Sequence, residues 1–135
     1  MGSGNSSSGT QRTYKFRNGK PTMAGNMVTP MFNNMFYRIS DTESSKWGFY
    51  NDSVDLHVHI AILFDYDSTI VPLGDTTAFR IDDPEDGNED DYGKYLCEVD
   101  VGPGETKEFI QGKITGWKVD TLEARTSSNE RTYRL

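Results

Sequence analysis

The chain has a single cysteine, Cys97, among its 135 residues. One thiol closes no intramolecular disulfide, so a disulfide-stapled secreted scaffold is excluded and a reducing compartment fits. No run approaches the roughly 20 apolar residues of a membrane-spanning helix. Residues 1–20 lack the apolar stretch of a secretory signal. Nothing shows a sustained helical period or an internal repeat of useful length. Acidic residues are missing from the first 40 positions, which carry Arg12, Lys15, Arg17, Lys20 and Arg38. All 21 acidic residues follow, against nine further basic ones. Such an acidic body repels nucleic acid, which needs a basic footprint. Only the N-terminal segment suits an anionic surface.

What is present begins with Met1-Gly2-Ser3-Gly4-Asn5-Ser6. This fits the N-myristoylation pattern, in which Gly2 takes the acyl chain after Met removal and Ser or Thr stands at position six. The same opening is met as an expression leader, and the residues alone leave both readings standing. A lipid with basic residues close behind is suited to an anionic inner leaflet. Residues 1–17 are expected to form a flexible, basic, acylated tail, and 18–135 one domain.

The strongest periodic signal runs from Val54 to Phe64. Val54, Leu56, Val58, Ile60, Ile62 and Phe64 alternate with Asp55, His57, His59, Ala61 and Leu63, which predicts a strand. Its outer face turns apolar at Ala61 and Leu63, as though running into a covered end. Trp47 to Asp52 favours another strand, and Asn51-Asp52-Ser53 supplies turn chemistry, so a hairpin over 46–64 is expected. Met35 to Ile39, Thr76 to Ile81, Tyr95 to Val101, Glu108 to Gln111, Ile114 to Val119 and Thr132 to Leu135 are further candidates. Short strands with frequent turn residues predict an all-β fold, an antiparallel sandwich or distorted barrel.

Two segments read as irregular. Asp82 to Gly93 holds seven acids and two glycines and is expected to be an exposed loop. An EF-hand starting at Asp82 fails, because Pro84 and Gly93 occupy the third and twelfth positions. Between Lys20 and Asn34, the methionines at 23, 27 and 31 recur every four residues, and Met35 continues the spacing. Pro30 and Gly25 argue against a helix, so the segment is expected to lie as a strap across the sandwich. Met23, Met27, Met31 and Phe32 could line an apolar surface for an acyl chain or peptide.

Asn18-Gly19-Lys20-Pro21, Met35 to Ile39, Trp47 to Asp52, the His57-Val58-His59 strand, Pro72-Leu73-Gly74, Val101 to Thr106 and Gly112 to Trp117 together resemble the small domain of kinetoplastid calpain-related proteins. The resemblance covers Asn18 to Leu135. It implies a β-sandwich without a protease core, acylated at Gly2, at the flagellar membrane; the sandwich is expected to present a surface to an unidentified protein partner. Acylated members commonly have Cys at position three. Ser3 stands there, which leaves a singly acylated relative and a replaced cysteine both open.

Other chemistries are weaker. Cys97 lies mid-strand beside Val99 and Val101, without the glycine-rich setting of a protease cysteine, and is expected to be an inert buried thiol. His57 and His59 share one strand face at a spacing that can chelate a metal. With Asp55 the only local third ligand, surface histidines are the expectation. No cofactor and no metal are expected, nor an enzyme. Alternatives to a lipid-anchored module are acyl-chain or peptide binding and a calcium-responsive acidic loop.

Overall fold

The computed structural model describes residues 16–82, 92–126 and the backbone of 132–134. Ten strands run in chain order: β1 Met27–Phe32, β2 Phe36–Asp41, β3 Lys46–Asn51, β4 Leu56–Phe64, β5 Thr69–Pro72, β6 Thr77–Arg80, β7 Tyr95–Val101, β8 Thr106–Lys113, β9 Trp117–Thr126 and β10 Thr132–Arg134. They form two five-stranded antiparallel sheets, ordered β1-β2-β3-β8-β5 and β10-β9-β4-β7-β6. No helix occurs among the described residues. The expected all-β antiparallel sandwich is the fold.

Alternation builds the core. Val58, Ile60, Ile62 and Phe64 of β4 meet Cys97, Val99 and Val101 of β7 on the inner face. Phe36, Phe49 and Phe109 fill it from the other sheet. Ala61 and Leu63, on the opposite face of β4, are also buried, so that strand does run into a covered end.

The expected 46–64 hairpin is wrong. β3 pairs with β2 and β8, whereas β4 pairs with β9 and β7 in the other sheet. The turn chemistry at Asn51 to Ser53 is real, but it carries the chain across the sandwich. The Asn51 side chain donates to the carbonyls of Leu56 (2.7 Å) and Val101 (2.9 Å), while Ser53 Oγ donates to Asn51 Oδ1 (2.7 Å). A polar triplet reports a change of direction, not which sheet receives the next strand.

Part of the expected strap is also a strand. Residues 27–32 form β1 despite Pro30, because β1 is a sheet edge, where a missing N–H is tolerated. The register slips between Pro30 and Phe32. Asn33 (φ 42°) and Asn34 (φ 54°) then turn the chain into β2, as a primed hairpin turn requires. The expected strand over Ile114 to Val119 begins instead at Trp117, after the Gly116 turn, and β5 has no counterpart among the expected strands.

Candidate functional site

Residues 16–26 cross the outer face of β2 and β3. Phe16 stands edge-on to Tyr37 (5.0 Å, 90°) and Tyr50 (5.2 Å, 84°). Met23 joins Phe16 and Val28 over a small second core of Tyr37, Ile39 and Tyr50. Gly48 makes the close approach feasible, since a Cβ there would lie 2.3 Å from Met23 Sδ and 2.9 Å from the Lys107 carbonyl.

Asp52 fastens this strap. Its carboxylate is buried and accepts the backbone N–H of Arg17 (2.7 Å) and Asn18 (2.9 Å) and the Tyr50 hydroxyl (2.7 Å). The Asn18 amide also donates to the Asp52 carbonyl (2.7 Å). Burial, then the Asp52 hydrogen bond, raises the Tyr50 hydroxyl far above the ordinary phenol range. Asp52 therefore holds Arg17 and Asn18, within the basic N-terminal segment, against the sandwich.

Of the residues singled out in sequence, Gly2, Arg12 and Lys15 lie outside the described residues. Arg17 and Lys20 are exposed on the strap, with Arg17 tied through its backbone to Asp52. The four apolar positions do not share one surface. Met23 lies on the outer core, whereas Met31 and Phe32 pack against the inner one. Met27 is 48% exposed at the start of β1, opposite Ser40.

A second arrangement lies at a corner between the sheets. Arg38 pairs with Phe49, and Ser40 with Trp47, so Arg38 and Trp47 face the interior alongside the core residue Phe49. From the other sheet, Trp117 and Val119 pair with Phe64 and Ile62 and share their inner face. The Arg38 guanidinium lies 4.4 Å from the Trp47 ring centre and 4.9 Å from that of Trp117, and the indoles meet edge-on at 5.1 Å. Among the described residues no hydrogen bond or ion pair engages this guanidinium, and burial lowers its pKa. Trp117 (42%) and Val119 (40%) stay exposed although they face inward. The sheets therefore splay at this corner.

The sequence reading singled out neither feature. For Arg38 a signal existed, because position 38 shares the inward parity of Phe36 in one strand. For Asp52 none did, since turn chemistry alone accounted for it.

His59 lies between Asp100 (2.7 Å) and Glu98 (3.1 Å) of β7, so the neighbouring carboxylates are not Asp55. No cluster of His, Cys, Asp and Glu among the described residues is arranged to hold an ion. The acidic stretch 83–91 lies outside the described residues.

Cys97 is fully buried, and burial pushes its thiol up to about 12. A thiol that stays protonated is no nucleophile. It also links stability to pH. The unfolded thiol ionises near its ordinary value of 9.0, whereas the folded one does not. Its contribution is therefore complete below about pH 9 and declines as pH rises towards 12, by about 1.4 kcal/mol per pH unit. Urea unfolding at pH 7.5 and pH 10 should show a loss about 1 kcal/mol smaller in Cys97→Ala than in the wild type. Equal losses would contradict a buried neutral thiol.

The family described as "Domain of unknown function (DUF1935)" matches residues 16–126. A solved structure from Leishmania major, titled a hypothetical protein, is 60% identical with a TM-score of 0.76, over 90% of this chain and all of that one. The NMR structure of SMP-1 (Small Myristoylated Protein) from Leishmania major is 29% identical with a TM-score of 0.74, over 92% of this chain and 89% of that one. Among curated proteins none matches the chain.

Proposed function

The chain belongs to the DUF1935 family, and because neither solved structure that it resembles is titled an enzyme, we propose that it is a non-enzymatic, lipid-anchored module. The observation that carries this reading is the likeness along nearly its whole length to a protein named as myristoylated, combined with its own Met1-Gly2 to Ser6 opening. Gly2 carries the acyl chain. Arg12, Lys15, Arg17 and Lys20 reinforce it on the anionic cytoplasmic face of the plasma membrane. The calpain-related resemblance points to the flagellar membrane, where the sandwich presents a surface to a protein partner.

The energetics require both signals. One myristoyl chain binds with an association constant on the order of 10⁴ M⁻¹, which is reversible. Each basic residue near anionic lipid adds roughly 1 kcal/mol. Asp52 holds the strap beside Arg17, so the basic segment joins the body at a defined place. Myristoylated protein is expected to float with phosphatidylserine-containing vesicles and to be released by high salt. Gly2→Ala should remove flotation. Undiminished flotation of that variant would reject Gly2 as the anchor.

A further inference from the structure

We propose that the splayed corner formed by Met27, Arg38, Trp47, Trp117 and Val119 is a binding site for an apolar chain ending in one carboxylate, a free fatty acid in kind. Arg38 supplies the head contact. Its guanidinium carries five donors, and no acceptor among the described residues engages them. Carboxylates satisfy such a fork in bidentate geometry. An acidic protein with a net charge of −7 that keeps this half-buried cation without a carboxylate among the described residues leaves a place for one.

The walls supply the tail contact. Three side chains that face the sandwich interior remain 40–48% exposed: Met27, Trp117 and Val119. Ordinary packing would have closed the sheets over them, as it does over Leu122 and Ala124 further along β9. An inward-facing apolar lining open to water is stabilised by an apolar occupant.

The occupant is an acid rather than a peptide, because a peptide brings backbone groups that need partners. At the corner the Trp117 to Val119 stretch of β9 hydrogen-bonds to β4 in the plane of its sheet, and β10 reaches only Glu123 to Arg125, so strand backbone groups do not point into the corner. The free edge of β1 is interrupted by Pro30 and by the register slip beside it. This site is independent of the proposed anchor. An N-myristoyl group is joined through an amide and has no charged head for Arg38.

Trp47 and Trp117 are the only tryptophans of the chain, so selectively excited tryptophan emission reports this corner alone. Full-length unacylated protein is titrated with dodecanoate below its micelle concentration. A saturable emission change is expected, with dodecyltrimethylammonium binding at least about tenfold more weakly. Arg38→Gln should weaken dodecanoate at least about tenfold. Val119→Glu changes an exposed position, should keep the wild-type unfolding midpoint, and should weaken dodecanoate comparably by placing a carboxylate at the site. Non-saturable emission, equal binding of the two amphiphiles, or wild-type affinity in both variants would overturn the assignment. So would saturation by an acetylated Leu-Leu-Glu peptide where dodecanoate gives none.

Discussion

Replacing Asp52 with alanine is expected to destabilise the protein by about 3–4 kcal/mol, with a readout at the strap as well as in the whole fold. The carboxylate accepts three hydrogen bonds and is almost fully shielded from water. Hydrogen bonds to a charged group contribute about 1.5–3 kcal/mol each, and a buried donor left without an acceptor costs about 1–3 kcal/mol. The Tyr50 hydroxyl would be such a donor, since Tyr50 is fully buried. The terms share one acceptor, so they do not add in full.

Two measurements check this. Urea unfolding reports the global loss. Trypsin reports the strap: the Arg17–Asn18 bond lies between the two N–H groups that Asp52 holds, whereas Lys20 precedes Pro21. Cleavage after Arg17 should accelerate in Asp52→Ala by more than the global destabilisation accounts for, because the strap opens locally. Asp52→Asn keeps one acceptor oxygen and should fall between. A variant within about 0.5 kcal/mol of the wild type would show that the clamp is dispensable.

Strand periodicity carried far in this chain because the two sheets pack their inner faces on each other. Val58 to Phe64 and Cys97 to Val101 read correctly, down to the covered Ala61 and Leu63. Sheet membership did not read, because the Asn51 to Ser53 turn looks the same in a hairpin and in a crossing. β5 is four residues long and ends at Pro72, too short to alternate visibly. β1 was masked by Pro30, which argues against a strand until the strand is known to be an edge. The methionine recurrence held no helix. It arose from four positions in different roles: Met23 on the strap, Met27 at the head of β1, Met31 beside the slip and Met35 in the following turn.

The same limit applied to the candidate sites. Met27 and Met31 both belong to β1, yet only the pairing partners reveal that Met27 opens to solvent near Arg38. Trp117 is 79 positions from Arg38 in the chain, and their stacking depends on two sheets meeting. No local pattern encodes a contact of that separation. The basic positions Arg12 and Lys15 have a composition-level meaning only, so their role stands or falls with vesicle binding.

Phe49→Ala should cost about 3–5 kcal/mol, the range for truncating a buried phenylalanine. Phe49 is fully buried, stacks on Phe36 (5.3 Å, 14°) and meets Phe109 edge-on (4.9 Å, 62°). Phe109 in turn reaches Phe64 of the opposite sheet at 6.2 Å. The ring is thus a link between layers, and β3 cannot collapse into its cavity because β2 and β8 hold it on either side. Since small domains are stable by only about 5–15 kcal/mol, the variant should stand near its unfolding threshold. Phe79→Ala is the internal control, because Phe79 is half-exposed on the edge strand β6 and should cost less than about 1 kcal/mol. Urea unfolding with unchanged slope separates lost packing from a changed unfolded state. A Phe49→Ala loss below about 1.5 kcal/mol would mean the aromatic chain is not what joins the sheets. The joint would then have to lie with the aliphatic residues of β4 and β7, and the Arg38 corner would sit beside a softer interior than its exposed indoles suggest.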